Sequence, residues 1–247
     1  MIEFIDIKKS FGPKVILKGV SISVDTGKVL YIVGASGAGK SVLVKHLVGL
    51  LKPDAGKILL DGEDITHLTE QGFYRVREKC AMVFQHSTLF DSMSLVDNVA
   101  LPLRKHFGLS REEARTQAMA KLELVHMDKQ ADRFPGDIGD GLRKRVAIAR
   151  ALTMKPRYVI FDEPTTGLDP LAASQVDDLI RSLRSEAGVT SIVVSHDLRS
   201  IFSVADRIAM IYQGTILLDG TPEEFKASDN PIVHQYVNGL PEGPMIV

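Results

Sequence analysis

The hydrophobic positions of this sequence form short runs that alternate with helical patterns. Three runs, at Val29–Val33 and at residues 158–161 and 191–194, are continuous, which is typical of strands buried on both faces of a parallel sheet. Residues 2–7 and 21–24 alternate with a period of two and predict strands with one buried face. Strands that alternate with helices predict an α/β fold on a mixed, largely parallel sheet.

Two turn signals predict hairpins in which neighbouring strands run antiparallel. The first, in residues 58–65, turns at Asp61, and the second, in residues 208–218, turns at Gln213; a glycine follows each of them. A polar residue before glycine favours the left-handed backbone that tight hairpins need. We therefore expect an antiparallel β portion, which includes the N-terminal strands, beside the parallel core.

The region from residue 89 to residue 155 has a helical texture instead. Ser110 and Glu113 have the spacing of a capping box, and apolar residues follow them at helical intervals. A second helix is predicted over residues 141–153, with Leu142, Val146 and Ala149 on one face. The basic residues of that helix, Arg143, Lys144, Arg145 and Arg150, lie mostly on other faces.

These patterns divide the chain into three parts. We expect an α/β core in residues 1–88 and 156–227, with a helical subdomain in residues 89–155 inserted into it. Residues 228–247 are expected to form a short helix near 231–238 and then an extended tail, because prolines and glycines follow that helix.

Composition narrows the class of protein. The formal net charge of −1, from 30 Lys+Arg and 31 Asp+Glu, gives no bulk attraction to nucleic acid. The single cysteine, Cys80, excludes an intramolecular disulfide, fits a reducing compartment and is expected to be buried. No apolar run approaches the roughly 20 residues that cross a bilayer. We therefore expect no membrane span, no secretory signal and no nucleic-acid partner.

The strongest chemical motif lies between the first buried strand and a helical pattern over residues 42–51. It reads GASGAGKS, the spacing of a phosphate-binding loop. Its backbone N–H groups would surround phosphate oxygens, Lys40 would reach the β- and γ-phosphates, and Ser41 would bind Mg²⁺. The expected ATP-binding residues are Gly34, Ala35, Ser36, Gly37, Ala38, Gly39, Lys40 and Ser41.

Two carboxylates directly follow the second buried strand. Asp162 and Glu163 would lie at the carboxyl edge of a parallel sheet, where α/β proteins place their ligands. We expect Asp162 to hold Mg²⁺, commonly through water, and Glu163 to orient or deprotonate the water that attacks the γ-phosphate. Without the phosphate loop, this pair could simply cap the next helix.

With these motifs in place, the sequence resembles the ATP-binding subunit of ABC transporters over about residues 2–227. The resemblance implies that Gln85 is the Q-loop glutamine, which contacts Mg²⁺ and signals to the membrane partner. It also implies that Asp169 belongs to the D-loop, that His196 is the switch histidine at the γ-phosphate and that Phe11 stacks on adenine. Taken alone, Gln85 could be a solvated loop residue and Phe11 a core residue, and Asp169 is also a good helix N-cap.

The sequence departs from that family in the signature loop. The family carries leucine-serine-glycine-glycine before a helix rich in Arg and Ala, whereas this chain has Ile138, Gly139, Asp140 and Gly141. In the family, this loop of one subunit completes the ATP site of the other. Gly139 has no hydroxyl, and Asp140 would bring a negative charge near a polyanion, although Asp is also a good N-cap and tolerates a positive φ.

The resemblance leaves two interpretations of this loop open. It could contribute backbone donors only, with slow hydrolysis in a homodimer. Alternatively, the chain could work against the intact signature loop of a different subunit. In either case the resemblance implies an ATP-driven dimer and a separate integral membrane permease.

The segment after residue 88 and the C-terminus resemble the ATP-binding subunit of Mla/Mce-type lipid transporters. That resemblance implies transport of phospholipid between bacterial membranes, a peripheral location on the cytoplasmic face of the inner membrane, and a periplasmic lipid-binding Mce-type protein behind the permease. It also implies a tail that reaches the other ATP-binding subunit through Tyr236, Val237 and Leu240. The alternatives are a small-nutrient importer and a non-transport regulator of cell-envelope machinery.

Overall fold

The computed structural model describes residues 1–245, apart from the side chain of Ala187, and contains ten strands within them. The strands are β1 (Ile2–Phe11), β2 (Lys14–Val24), β3 (Val29–Val33), β4 (Ala55–Leu60), β5 (Glu63–Asp64), β6 (Cys80–Val83), β7 (Tyr158–Asp162), β8 (Thr190–Val194), β9 (Arg207–Tyr212) and β10 (Thr215–Gly220). They form an antiparallel sheet with the order β2-β1-β4-β5 and a six-stranded sheet with the order β10-β9-β3-β8-β7-β6. In the larger sheet only β10 runs antiparallel to its neighbour, so the expected mixed sheet and antiparallel portion are confirmed.

Nine α-helices fall within the same described part of the chain. They are α1 (Lys40–Leu47), α2 (Glu70–Lys79), α3 (Leu95–Phe107), α4 (Arg111–Leu124), α5 (Asp140–Leu152), α6 (Pro170–Ala187), α7 (Leu198–Val204), α8 (Pro222–Lys226) and α9 (Pro231–Val237). The capping box at the start of α4 is present, with the Ser110 hydroxyl and the Glu113 carboxylate each accepting a backbone N–H. None of the described helices has the length and apolar character that a membrane crossing requires.

The larger sheet places three loops at one edge. Strand β8 pairs in parallel with both β3 and β7, and Val194 is level with Ile32 on one side and Asp162 on the other. The three strands therefore end side by side. The phosphate-loop segment follows β3, Glu163 follows β7 and His196 follows β8, so the chain brings its candidate chemistry together at the carboxyl edge.

Three hydrophobic clusters hold these layers. Leu30 and Ile32 of β3 belong to a first cluster with the smaller sheet, α1 and α2. Tyr31 and Val33, on the opposite face of β3, belong to a second cluster with α6, α7 and α9. This burial on both faces explains the continuous apolar run. The third cluster lies among α3, α4 and α5, while the expected domain boundaries at 88/89 and 155/156 stay a prediction.

The predicted hairpins are confirmed, and one helix is shifted. Asp61 and Gln213 both have positive φ, at 53° and 49°, as tight hairpin turns require. Helix α1 covers Lys40–Leu47 rather than residues 42–51. It begins earlier because the phosphate loop runs directly into its first turn, and it ends before Gly49, whose φ is +72°. Cys80 is buried as expected, and burial raises the pKa of its thiol to about 12.

The C-terminal segment folds back onto its own chain. The backbone N–H of Met245 donates to Oε1 of Gln235 at 2.7 Å, and both residues are buried. Tyr236 and Val237 pack against the second cluster, while Leu240 is 44% exposed. The expected extended tail therefore returns along α9 up to Met245, and Ile246 and Val247 lie outside the described residues.

Candidate functional site

The loop between β3 and α1 has a backbone that only glycine can follow. Gly34 has a φ of +139°, and a Cβ atom there would lie 2.2 Å from the carbonyl oxygen of Ile211 on β9. Gly39, the N-cap of α1, has a φ of +102°. The loop therefore turns closely over the sheet edge and presents the N-terminus of α1, where backbone N–H groups and the helix dipole favour a phosphate.

Lys40 lies at the floor of this loop. Its Nζ donates to the carbonyl oxygens of Gly34 at 2.7 Å and Ala35 at 2.9 Å, and the residue is 8% exposed. Burial lowers the pKa of Lys40, and the nearby carboxylates of Glu163 and Asp162 act in the opposite direction. An ammonium has three donors, so one N–H remains for a phosphate oxygen.

Ser41 is joined to the carboxylate at the end of β7. Its hydroxyl donates to Oδ1 of Asp162 at 2.6 Å, and Asp162 is 4% exposed. Hydroxyl and carboxylate oxygens are hard ligands of the kind that Mg²⁺ prefers, and Mg²⁺ is commonly held by one or two carboxylates together with substrate phosphates. The donor set fits Mg²⁺. Within residues 1–245, no group of three or more His, Cys, Asp or Glu side chains could hold a metal without such a phosphate.

Glu163 is held in a strained backbone conformation. Its φ is +54°, which non-glycine residues seldom adopt, and its N–H donates to the carbonyl oxygen of Val194 at 2.8 Å. Oε2 accepts a hydrogen bond from the Thr166 hydroxyl at 2.8 Å and lies 2.8 Å from Nδ1 of His196. The carboxylate is therefore fixed beside an imidazole whose side chain is 61% exposed.

These groups line one cleft of about 830 Å³. Eleven of the predicted residues lie on its wall: Phe11, Gly34, Ala35, Ser36, Gly37, Gly39, Lys40, Ser41, Gln85, Glu163 and His196. Asp162 lies behind Ser41, and Ala38 packs against the first hydrophobic cluster. The cleft thus carries the polar groups of the phosphate loop and the Glu163 carboxylate. It also carries the aromatic ring of Phe11, which is 47% exposed.

The loop of residues 138–141 is not part of this cleft. Asp140 instead lines a second groove of about 410 Å³ together with Gln85 and Gly167. Ile138 is 5% exposed and belongs to the third cluster, so only its backbone could contact a nucleotide. Asp169 is also outside the cleft and N-caps α6 by accepting from the N–H groups of Leu171 and Ala172.

Asp140 has neither the N-cap position nor the positive φ that aspartate tolerates. The N-cap of α5 is Gly139, so the helix begins one residue earlier than predicted, and Asp140 is its first residue. Asp140 is not among the described residues with positive φ. Its side chain is 81% exposed and lies 3.5 Å from Nη1 of Arg143. The carboxylate is thus free to meet a ligand that approaches from solvent.

Two C-terminal residues line the cleft and were not predicted to do so. Tyr236 and Met245 reach it from α9 and the segment that folds back along α9. The Tyr236 hydroxyl is buried without a hydrogen bond of acceptable geometry among the described residues, and burial raises the pKa of that phenol to about 12. The sequence singled out Tyr236 only as an anchor for another subunit, and no pattern around Met245 indicated its position.

Lys144 is a residue that the sequence pattern did not connect with the site. It is 5% exposed and contacts the segment that carries Glu163. Its neighbours come from a distant part of the chain, so helical periodicity could not reveal them.

Comparison with known proteins identifies the family to which this chain belongs. The sequence profile of the ABC transporter family matches residues 17–166, more than half of the chain. The chain belongs to the ABC transporter family. The matched stretch includes the phosphate loop, the loop of residues 138–141 and Glu163.

Relatives within the ABC transporter family match almost the whole chain. The intermembrane phospholipid transport system ATP-binding protein MlaF of Escherichia coli is 36% identical over 245 residues, which are 99% of this chain and 91% of that protein. The "Probable ribonucleotide transport ATP-binding protein mkl" of Mycobacterium leprae is 38% identical over 244 residues, 99% of this chain and 70% of that protein.

Solved structures of ABC cassettes share the fold. The dimeric post-hydrolysis state of the cassette MJ0796, bound to ADP and Pi, is 29% identical with a TM-score of 0.83 and covers 90% of this chain and 99% of its own. The cbiO1 protein of Clostridium perfringens, part of the ABC transporter complex cbiONQ, is 30% identical with a TM-score of 0.84 over 97% of this chain and 95% of its own.

Proposed function

We propose that this ABC ATPase binds ATP and Mg²⁺ in the described cleft and that hydrolysis there drives a separate membrane permease. One observation carries the proposal. The phosphate loop, the Ser41–Asp162 pair and the Glu163–His196 pair, which come from widely separated parts of the sequence, converge on one cleft.

The chain's own groups would bind and orient the triphosphate. Backbone N–H groups at the N-terminus of α1 would receive the phosphate oxygens, and the remaining N–H of Lys40 would bind an oxygen of the β- or γ-phosphate. Phe11, whose ring lies 5.4 Å from Nζ of Lys9 and is half-exposed, would stack on the base. Ser41, Asp162 and Gln85 would hold Mg²⁺, which supplies neutralisation of phosphate charge when bound.

Glu163 would act on the attacking water. Its Oε2 is already fixed by the Thr166 hydroxyl and by His196, so the second carboxylate oxygen is available to orient a water molecule and accept its proton. His196 would position the carboxylate and donate toward the γ-phosphate region. Preorganised groups of this kind lower the barrier because they need no rearrangement during the reaction.

A second subunit would complete the site. Asp140 lines a different groove from the chain's own cleft, which supports a role for the loop of residues 138–141 at the cleft of another copy. The N-terminus of α5 would supply backbone donors there, and Gly139 would supply no hydroxyl. We propose a homodimer with slowed hydrolysis; a heterodimer with an intact partner loop is the alternative.

For the cargo, we propose phospholipid moved between bacterial membranes, at the cytoplasmic face of the inner membrane. Full-length similarity to the MlaF relatives supports this, and such a system would include an integral permease and a periplasmic lipid-binding Mce-type protein. The mkl relatives carry ribonucleotide transport in their names and are as similar to this chain as the MlaF relatives are, so ribonucleotide transport is the second candidate.

Isolation of the intact membrane complex through this chain tests the assignment. Mass spectrometry of the purified complex should identify a permease, an Mce-type protein and bound phospholipid. Recovery of a solute-binding protein for a nucleotide or another small nutrient, without phospholipid, would overturn the lipid assignment and leave the ATPase assignment intact.

A further inference from the structure

The peptide segment of residues 163–166, which follows β7, forms a bend around the buried ammonium group of Lys144. Nζ of Lys144 donates to the carbonyl oxygen of Glu163 at 3.2 Å and to that of Thr166. Lys144 lies in the second turn of α5, the helix that begins directly after the loop of residues 138–141. A single side chain of the helical region thus binds both ends of the bend that carries the catalytic carboxylate.

The same bend is also closed through its side chains. The Thr166 hydroxyl donates to Oε2 of Glu163, the oxygen that lies beside Nδ1 of His196. If the carbonyl groups of residues 163 and 166 lost their common donor, the relative positions of the hydroxyl and the carboxylate would no longer be fixed. Glu163 adopts a φ of +54°, and such a conformation persists only when its surroundings determine it.

The ammonium of Lys144 needs these two hydrogen-bond partners because it is buried. The residue is 5% exposed, and a buried charge must be hydrogen-bonded to be tolerated. Burial lowers the pKa of Lys144, while the Glu163 and Asp140 carboxylates act in the opposite direction. The Glu163 carboxylate lies in the cleft, and the Asp140 carboxylate belongs to the loop of residues 138–141.

We propose that Lys144 is a positioning residue for hydrolysis, which makes the orientation of the Glu163 carboxylate depend on how α5 is seated against the core. The proposal rests on the proposed function, because it assigns Glu163 to the attacking water. A movement of α5 would shift Nζ relative to the two carbonyl groups, and the bend would transmit that shift to the carboxylate. Phosphate binding, which uses the loop after β3, would be unaffected.

The test compares Lys144→Met with wild type in the intact membrane complex, with steady-state hydrolysis measured over a range of ATP concentrations. Methionine keeps an unbranched apolar stem of nearly the same length and removes the ammonium donors. A misplacement of about 1 Å costs about 100-fold in rate, so we expect kcat to fall by about 10-fold to about 100-fold, with a KM for ATP within about twofold of wild type. Lys144→Arg, which retains donors, should recover part of kcat.

The matched control is Lys121→Met in α4, because Lys121 is a half-buried lysine of the same helical region with no contact to the cleft. Its kcat should equal that of wild type. In a Glu163→Gln background, where hydrolysis is blocked, Lys144→Met should leave the Kd for ATP unchanged. If circular dichroism shows that Lys144→Met does not fold, Lys144→Leu, which also lacks donors, replaces it.

Each outcome has a distinct meaning. Wild-type kcat in the Lys144→Met complex, or a loss of ATP affinity in the Glu163→Gln background, would overturn the positioning role. A wild-type complex that binds no ATP or hydrolyses none would instead overturn the proposed function itself.

Discussion

The hydroxyl of Ser41 and the carboxylate of Asp162 are 121 residues apart in sequence and 2.6 Å apart in space. Ser41 lies in the first turn of α1, and Asp162 is the last residue of β7. The hydrogen bond therefore joins the end of the phosphate loop to a strand that is separated from β3 by β8. Since both residues offer oxygen atoms to the same point, this pair is where the proposed Mg²⁺ would bind beside the phosphates of ATP.

Removal of the Asp162 charge should weaken Mg²⁺-dependent binding of ATP. Asp162→Asn keeps the shape of the side chain but halves its capacity to accept hydrogen bonds and removes its negative charge. Loss of a supporting ligand typically costs about 10-fold to 100-fold in metal affinity. Titration of a fluorescent ATP analogue with and without Mg²⁺ measures the effect.

The control is Asp178→Asn, at an exposed site on α6, which should bind the ATP analogue as tightly as wild type does. An Asp162→Asn variant with the same Mg²⁺-dependent affinity as this control would contradict the magnesium assignment.

Restoration of the family's signature sequence should accelerate hydrolysis. Gly139 has open space around its Cβ position, so a serine fits, and Asp140 presents an exposed carboxylate. Like charges about 4 Å apart repel by about 1 kcal/mol in water, which corresponds to roughly fivefold in rate. We therefore expect Gly139→Ser with Asp140→Gly to raise the ATPase rate of the complex about fivefold or more.

The single variant Asp140→Gly separates the charge effect from the hydroxyl effect. An unchanged rate in the double variant would show that this loop does not limit hydrolysis. That result would favour the heterodimer, in which the loop faces a site that does not turn over.

A buried carboxyl between α6 and α7 predicts a pH dependence of stability. Asp177 is 2% exposed and accepts a hydrogen bond from the Ser200 hydroxyl, which also bonds to the Tyr31 phenol. Burial raises the pKa of Asp177 above its ordinary value. The folded state therefore binds this proton more tightly than the unfolded state does, and the contribution of Asp177 to stability falls as pH rises from about 3.9, the ordinary value, to the raised one.

Asp177→Asn removes this titration and should remain hydrogen-bonded to Ser200. We expect the melting temperature of the variant, relative to wild type, to rise across that pH window and then to stay constant. Thermal unfolding followed by circular dichroism at a series of pH values measures the difference. A difference that is independent of pH, or that falls with rising pH, would contradict the assignment of a raised pKa.

Local sequence signals predicted the parts of the fold that depend on local chemistry. The run Val29–Val33 is apolar at every position because β3 is buried on both faces, and the turns at Asp61 and Gln213 need the positive φ that their sequences favour. The phosphate loop was predictable for the same reason. Its glycines are required by the path of the backbone, and Lys40 and Ser41 are fixed by the start of α1.

Features that depend on distant neighbours were not predictable. Helix α2 buries only Phe73 and Val76, which gives too weak a period to indicate a helix. Lys144 is buried because the carbonyl groups of Glu163 and Thr166 happen to meet it in space. Met245 returns to the cleft through a hydrogen bond to Gln235, and no local pattern specifies that contact.

Hydrolysis of ATP should be measured in the intact complex for wild type and for Glu163→Gln. We predict that wild type hydrolyses ATP and that the variant, in which the carboxylate beside His196 becomes a neutral amide, loses about 10²-fold to 10⁴-fold in kcat while its affinity for ATP is preserved. A Glu163→Gln complex that hydrolyses ATP at the wild-type rate would contradict a catalytic role for Glu163, because the carboxylate that follows β7 would then take no part in the reaction.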